Sequence, residues 1–255
     1  VKPEHEKIIN LPGVITSLLI LLGGVEVIVE YGPPAISDSI YSALAFVPAR
    51  LSFYLWPGDV AAELSGVALD PETSSQISLV SGGGAAALAT LLTYALLHGG
   101  WTHYFVNALT LAAFGAPVAR RLGDRVFILF LACCAIAGAL THFGFHPVDV
   151  TPVVGASAAI SGAMAGIVRF AFTPGARFST GRNSDPATPL SGLAHNRPAM
   201  SFVLIWFGSN ALIGAFPQAF CSGEAIAWEA HIGGFLFGLT TFSFFERIAR
   251  PGGHY

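Results

Sequence analysis

Six long apolar runs divide the chain, separated by stretches where charge, proline and glycine return. They lie at about 11–31, 101–119, 126–145, 157–172, 200–220 and 229–245. The fourth is short; the others approach the roughly 20 apolar residues that a helix needs to cross a bilayer core. Helices are the expected element, because a backbone in hydrocarbon must satisfy its own hydrogen bonds. A further apolar run, 84–97, is closed off by glycines at 82–84 and at 99–100. It predicts an interfacial or re-entrant helix within a long first loop, 32–100.

The polar intervals set an orientation. Lys2 and Lys7 precede the first run, and Arg120, Arg121 and Arg125 follow the second. Arg169, Arg177, Arg182 and Arg197 lie between the fourth and fifth, and Arg247 and Arg250 follow the sixth. With six spans these all fall on one side and only Arg50 on the other. Cytoplasmic loops carry the excess of Lys and Arg, so both termini and the Ser-, Gly- and Pro-rich loop 173–198 are expected in the cytoplasm. The first loop is then outside. It holds Asp38, Asp59, Glu63, Asp70 and Glu72, while Phe53, Tyr54, Trp56 and several prolines predict a structured element lying on the membrane surface.

Composition agrees with this pattern. The 255 residues are 53% apolar and 11% charged, with mean hydropathy +0.65, too few charges to coat a water-facing globule. One all-α polytopic membrane domain over 1–255 is expected. The net charge of −3, with no basic cluster, argues against a nucleic-acid partner. Cys133 and Cys134 sit in an apolar run and Cys221 stands alone, so no disulfide framework is read. No A-x-A-like site follows the first run, which therefore reads as a retained span.

Candidate chemistry centres on 152–166, PVVGASAAISGAMAG. Pro152 cannot continue a helix and Gly155 and Ala156 leave room around Ser157, so a helix is expected to start at or beside that serine. Its hydroxyl then sits among backbone N–H groups that can stabilise developing negative charge. The plainer reading makes Ser157 an N-cap ahead of a small-residue face, Ser157, Ser161 and Ala165, that admits another helix. Polar residues elsewhere shift the balance. His103 and Asn107, four apart in the second run, share a helix face, and His98 lies just before the glycine break. His231, Gly234 and Gly238 form one stripe in the sixth, where the paired glycines permit backbone contact with a neighbour. Spans two, four and six run in the same direction, so these groups lie at similar depth and together offer a nucleophile, a base and oxyanion donors. A metal site built from His98, His103, His142, His146 and His231 is the competitor. His142 and His146 are four apart, but Pro147 follows and no carboxylate accompanies them on a span, so neither metal nor cofactor is expected.

At these residues the chain resembles the rhomboid intramembrane serine proteases of bacterial type. Their H-x-x-x-x-H-x-x-x-N signature is matched by His98, His103 and Asn107; G-x-S-G-x-x-x-G in part by Gly155, Ser157 and Gly162; and A-H-x-x-G-x-x-x-G by Ala230, His231, Gly234 and Gly238. The resemblance implies a six-helix rhomboid-like bundle. It implies a Ser157–His231 dyad without a carboxylate, and an oxyanion hole formed by His103, Asn107 and the Ser157 N–H. It also implies a gate and cap formed by span five and 217–229, including Phe216 and Phe220. Hydrolysis of a peptide bond in or next to a transmembrane segment of another membrane protein, in a bacterial inner membrane, follows from the same resemblance. Three positions depart from the pattern. Ala158 replaces the usual glycine after the serine, Ser161 replaces an aromatic residue that packs on the histidine in many members, and Ala119 stands where many bacterial members have an acid. Two other readings remain. One is an inactive rhomboid-like protein that binds membrane clients; the other is a polytopic transporter, which would be expected to carry an internal repeat that the chain lacks. The sequence does not specify an oligomeric state.

Overall fold

The structure is a computed structural model that describes residues 11–58, 84–172, 186–216 and 226–249. Expectations for Lys2, Lys7, Arg177, Arg182, Arg250, Cys221, Phe220 and the acids between 59 and 72 fall outside the described residues. The described chain is helical: α1 (Gly13–Tyr31), α2 (Pro34–Leu44), α3 (Pro48–Leu55), α4 (Ala86–Thr93), α5 (Trp101–Thr110), α6 (Ala116–Leu122), α7 (Asp124–Phe145), α8 (Ser157–Val168), α9 (Leu190–Leu193), α10 (Arg197–Ala215) and α11 (Trp228–Ala249). Among the described residues, three of these are long and apolar enough to cross a membrane: α1, α7 and α10. They correspond to the first, third and fifth apolar runs. The second run is helical from α5 through a π-helical stretch, Leu111–Gly115, into α6. The fourth forms only the 12 residues of α8, and α11 extends past the expected end of the sixth to Ala249.

The distribution of polarity is that of a membrane protein. Ile20, Leu109, Leu204, Ile205 and Phe244 are each more than half exposed, while Glu26, Arg121, Arg169, Asn210, Glu229 and Glu246 are buried. In water such an apolar exterior would be costly; against lipid it costs nothing, and it is the polar groups that must turn inward.

At the centre α8 packs against both α7 and α11. Small residues make this possible. A methyl group at Gly238 would lie 2.5 Å from the Gly162 carbonyl oxygen, and one at Gly234 would collide with the Ala158 carbonyl. The backbones of α8 and α11 therefore touch, and dispersion contacts along that seam replace the hydrophobic drive that lipid does not provide. On the other side of α8, a methyl at Gly138 of α7 would lie 2.6 Å from the Ala158 Cβ and 2.7 Å from the Ala230 oxygen.

The described parts of the first loop, 32–58 and 84–100, carry short helices. Pro34 and Pro48 open α2 and α3, where a missing N–H is no loss. The run 84–97 forms α4 and a 3₁₀ turn, Tyr94–Leu96. These elements brace the segment before α8. Phe46 and Val153 form an isolated antiparallel bridge, with N–H···O distances of 3.1 and 2.7 Å. The Ala49 N–H donates to the Asp149 carbonyl at 2.9 Å, and Ser52 Oγ donates to that of Pro147 at 2.6 Å.

At the far end of the core, Glu246 near the end of α11 accepts from Arg121 Nε at 2.6 Å and from the Ala187 N–H at 3.0 Å. Arg121 also covers the Phe170 ring at 4.7 Å. A cavity of about 460 Å³ opens beside this network, lined by Arg169, Ser243, Glu246 and Arg247, at the opposite end of α8 from Ser157.

Candidate active site

Helix α8 begins at Ser157, directly after Gly155 turns the chain with φ +121°. That angle belongs to glycine, and space demands glycine as well, since a Cβ there would lie 2.8 Å from Cε1 and Nε2 of His103. The Gly155 N–H donates to the Tyr94 carbonyl at 3.0 Å, and the Tyr94 hydroxyl donates to the Ala135 carbonyl at 2.8 Å. The turn before the serine is therefore tied both to the first loop and to α7.

His231, in the first turns of α11, points its Nε2 at Ser157 Oγ, 2.7 Å away. Its Nδ1 lies 2.9 Å from Oδ1 of Asn210 on α10. The Asn210 Nδ2 donates to the Trp206 carbonyl at 2.9 Å, which turns the amide oxygen toward the histidine. An amide oxygen only accepts, so this bond assigns the proton of the neutral imidazole to Nδ1 and leaves the Nε2 lone pair facing the serine. Both Ser157 and His231 remain partly exposed, which leaves the pair open to a ligand.

On α5 the Gly99 N–H donates to Nδ1 of His103 at 3.1 Å, which places that ring's proton on Nε2, the edge next to Gly155. Asn107 is buried one turn later, its Nδ2 donating to the His103 carbonyl at 3.0 Å. His98 is buried edge-on against the rings of His103 and Tyr104, with centroids 5.2 and 5.7 Å away. Among the described residues, both of its ring nitrogens are buried without a hydrogen-bond partner.

The fold thus brings Ser157, His231, Gly155 and His103 to one place, with Asn107 one turn along the same helix. Residues 85–247, well over half of the chain, match the family model described as the rhomboid domain. The chain belongs to the rhomboid family. A Bacillus subtilis (strain 168) protein named "Putative rhomboid protease YdcA" is 38% identical over 72 residues, 28% of this chain and 36% of the relative. The match therefore spans about a third of that relative's length. Family membership and the apolar exterior make the chain an integral membrane protein of a protease family.

Two residues near the rhomboid site escaped the sequence reading. Asn210 was one polar residue within an apolar run, four after Trp206, and nothing local linked it to His231. Glu26 of α1 is buried with its carboxylate against the backbone of Gly100, at the turn that leads into α5. A carboxylate within an apolar run was the signal available for it. Ser161, where many members carry an aromatic, donates its hydroxyl to the Ser157 carbonyl at 2.8 Å.

Proposed function

We propose that this chain is an intramembrane serine protease that hydrolyses a peptide bond in or next to the transmembrane segment of membrane-protein substrates. The observation that carries the reading is the 2.7 Å approach of His231 Nε2 to Ser157 Oγ, with the Nε2 lone pair on that side. Ser157 Oγ attacks the peptide carbonyl carbon while His231 takes its proton, and the carbonyl oxygen becomes an oxyanion. The Ser157 N–H at the start of α8, Nε2–H of His103 and the Asn107 amide are the donors for that charge. His231 then passes its proton to the departing amine. Water, deprotonated by the same imidazole, attacks the acyl-serine, the C–Oγ bond breaks to release the acid, and His231 returns the proton to Ser157 Oγ.

Asn210 acts through His231. By accepting from Nδ1–H it selects the tautomer and fixes the ring plane, as the third group does in hydrolytic triads, and it offers a neutral substitute for the aromatic packing that Ser161 does not provide. The pair Ser157–His231 thus works with an amide and without a carboxylate.

Six spans, with both termini and 173–198 in the cytoplasm of a bacterial cell and the Ser157 end outward, complete the reading. In a background lacking native cysteines, single cysteines at Ser75 and Ser179 test it. An impermeant thiol reagent on intact cells should label the first and spare the second; the reverse pattern overturns the orientation.

The inactive rhomboid-like alternative is less well supported, because the serine and histidine are both present and in contact. Co-expression with a panel of tagged single-pass membrane proteins separates the two. Cleavage of at least one of them should disappear with Ser157→Ala and with His231→Ala. Unchanged cleavage in either variant overturns the mechanism.

A further inference from the structure

His142 and His146 lie one turn apart at the end of α7, and Glu229 lies in the first turn of α11. His142 stands in the last turn of that helix and His146 is the residue that caps it, which brings both imidazoles to the same helix end. The fold adds what the sequence lacked, a carboxylate. Glu229 Oε2 is 3.3 Å from His142 Nδ1, and Oε1 is 2.9 Å from His146 Nε2. One ligand atom from each residue lies within 4.8 Å of the other two.

This cluster is built into the helix packing. A methyl at Gly233 would collide with the Thr141 side chain, and one at Gly138 would lie 2.7 Å from the Ala230 oxygen. Backbone contact between antiparallel α7 and α11 therefore fixes the register that sets His142 against Glu229, one turn beyond those glycines. Glu229 is buried, and among the described residues its polar side-chain partners are the two imidazoles. A divalent cation held by the three groups would balance the buried carboxylate and take one lone pair from each imidazole.

We propose that His142, His146 and Glu229 form a binding site for a divalent transition metal of the zinc class, tying the end of α7 to the start of α11. Two imidazoles and a carboxylate are a zinc ligand set, and metal–ligand bonds of about 2.0–2.2 Å in tetrahedral array separate ligand atoms by roughly 3.3–3.6 Å. His142 Nδ1 stands 3.3 Å from Oε2, while His146 Nε2 is 2.9 Å from the other oxygen and reaches the array by a turn of its ring. His146, 43% exposed at its side chain, is the point of entry and the ligand free to turn inward, with water completing the coordination. Glu229 precedes His231 by two residues, about 200° around the helix, so the metal faces away from Ser157. Its role is to hold the helix that carries the base, and the hydrolytic steps do not pass through it.

Purified full-length protein in detergent or nanodiscs, titrated with Co(II) and then Zn(II), tests the site. One Co(II) per chain should bind, with visible d–d absorption that Zn(II) displaces, and Zn(II) should raise Tm. His146→Ala, a half-exposed position outside the rhomboid motifs, should weaken Co(II) binding at least tenfold and abolish the Tm rise. Glu229→Gln should do the same if it folds. Ser157→Ala should bind metal like the natural chain, so the outcome is independent of whether the chain is a protease. Equal binding by the natural chain and His146→Ala, or no saturable binding by the natural chain, overturns the proposal and leaves the cluster as a hydrogen-bonded clamp.

Discussion

The Oδ1 of Asn210 on α10 sits 2.9 Å from Nδ1 of His231 on α11, on the ring edge opposite Ser157. If that bond selects the base's tautomer, Asn210→Ala should lower kcat about 10- to 100-fold, less than the roughly 100- to 10,000-fold that the general base itself contributes, because the imidazole stays in place. KM should change little, since Asn210 acts on the imidazole and not on substrate. Asn210→Asp, which keeps an acceptor at the same place, should recover part of the loss. A lower Tm with unchanged kcat would make the contact merely structural.

The oxyanion donors can be tested separately. Asn107→Ala should cost on the order of 100- to 1,000-fold in kcat, as loss of one donor does elsewhere. Unchanged kcat removes Asn107 from the mechanism.

Gly155→Ala tests the turn ahead of the serine. It adds a Cβ 2.8 Å from the His103 ring at a residue with φ +121°. The backbone strain alone is of order 1–3 kcal/mol. Reduced Tm and reduced kcat together are expected, and normal values for both would mean that the turn and His103 relax without consequence.

At the far end of the core, Arg121 and Glu246 form a buried pair with almost no exposure. Removing one partner leaves a buried charge, so Glu246→Ala should destabilise by about 3–5 kcal/mol. Replacing both, as Arg121→Met with Glu246→Leu, should recover much of that. Thermal denaturation of the single and double variants decides it; equal losses would show that the pair itself, and not the stranded charge, carries the energy.

Substrate choice follows from where attack occurs. A carbonyl in a transmembrane helix is already hydrogen-bonded along the backbone, and lipid offers no replacement. Attack by Ser157 requires local unwinding, which Gly or Pro eases by about 1–3 kcal/mol relative to Ala. The small residues at Gly155, Ala156 and Ala158 also favour a small side chain before the cut bond. Replacing the helix-destabilising and small residues of a confirmed substrate by Leu should slow cleavage strongly. Equal rates would show that unwinding does not select substrates.

The sequence by itself determined what depends on local order. Apolar runs, their flanking arginines and the i, i+4 stripes are properties of one helix at a time, so the described helices could be read from it, and Ser157, His103, Asn107 and His231 could be named as candidates. The break in the second run into a π-helical stretch, the early end of α8 and the extension of α11 were not legible, because packing against neighbours decides where a helix tightens or stops. The pairings across helices were decided only in the tertiary structure. Asn210 meets His231 across 21 residues, Glu229 meets His142 across 87 and Glu246 meets Arg121 across 125. Each depends on the rotation and register of two helices at contact; for α7 against α11 these are set by Gly138 and Gly233, which let the backbones touch. A hydropathy pattern carries no information about that rotation, since lipid and protein interior are equally apolar and only close packing tells them apart.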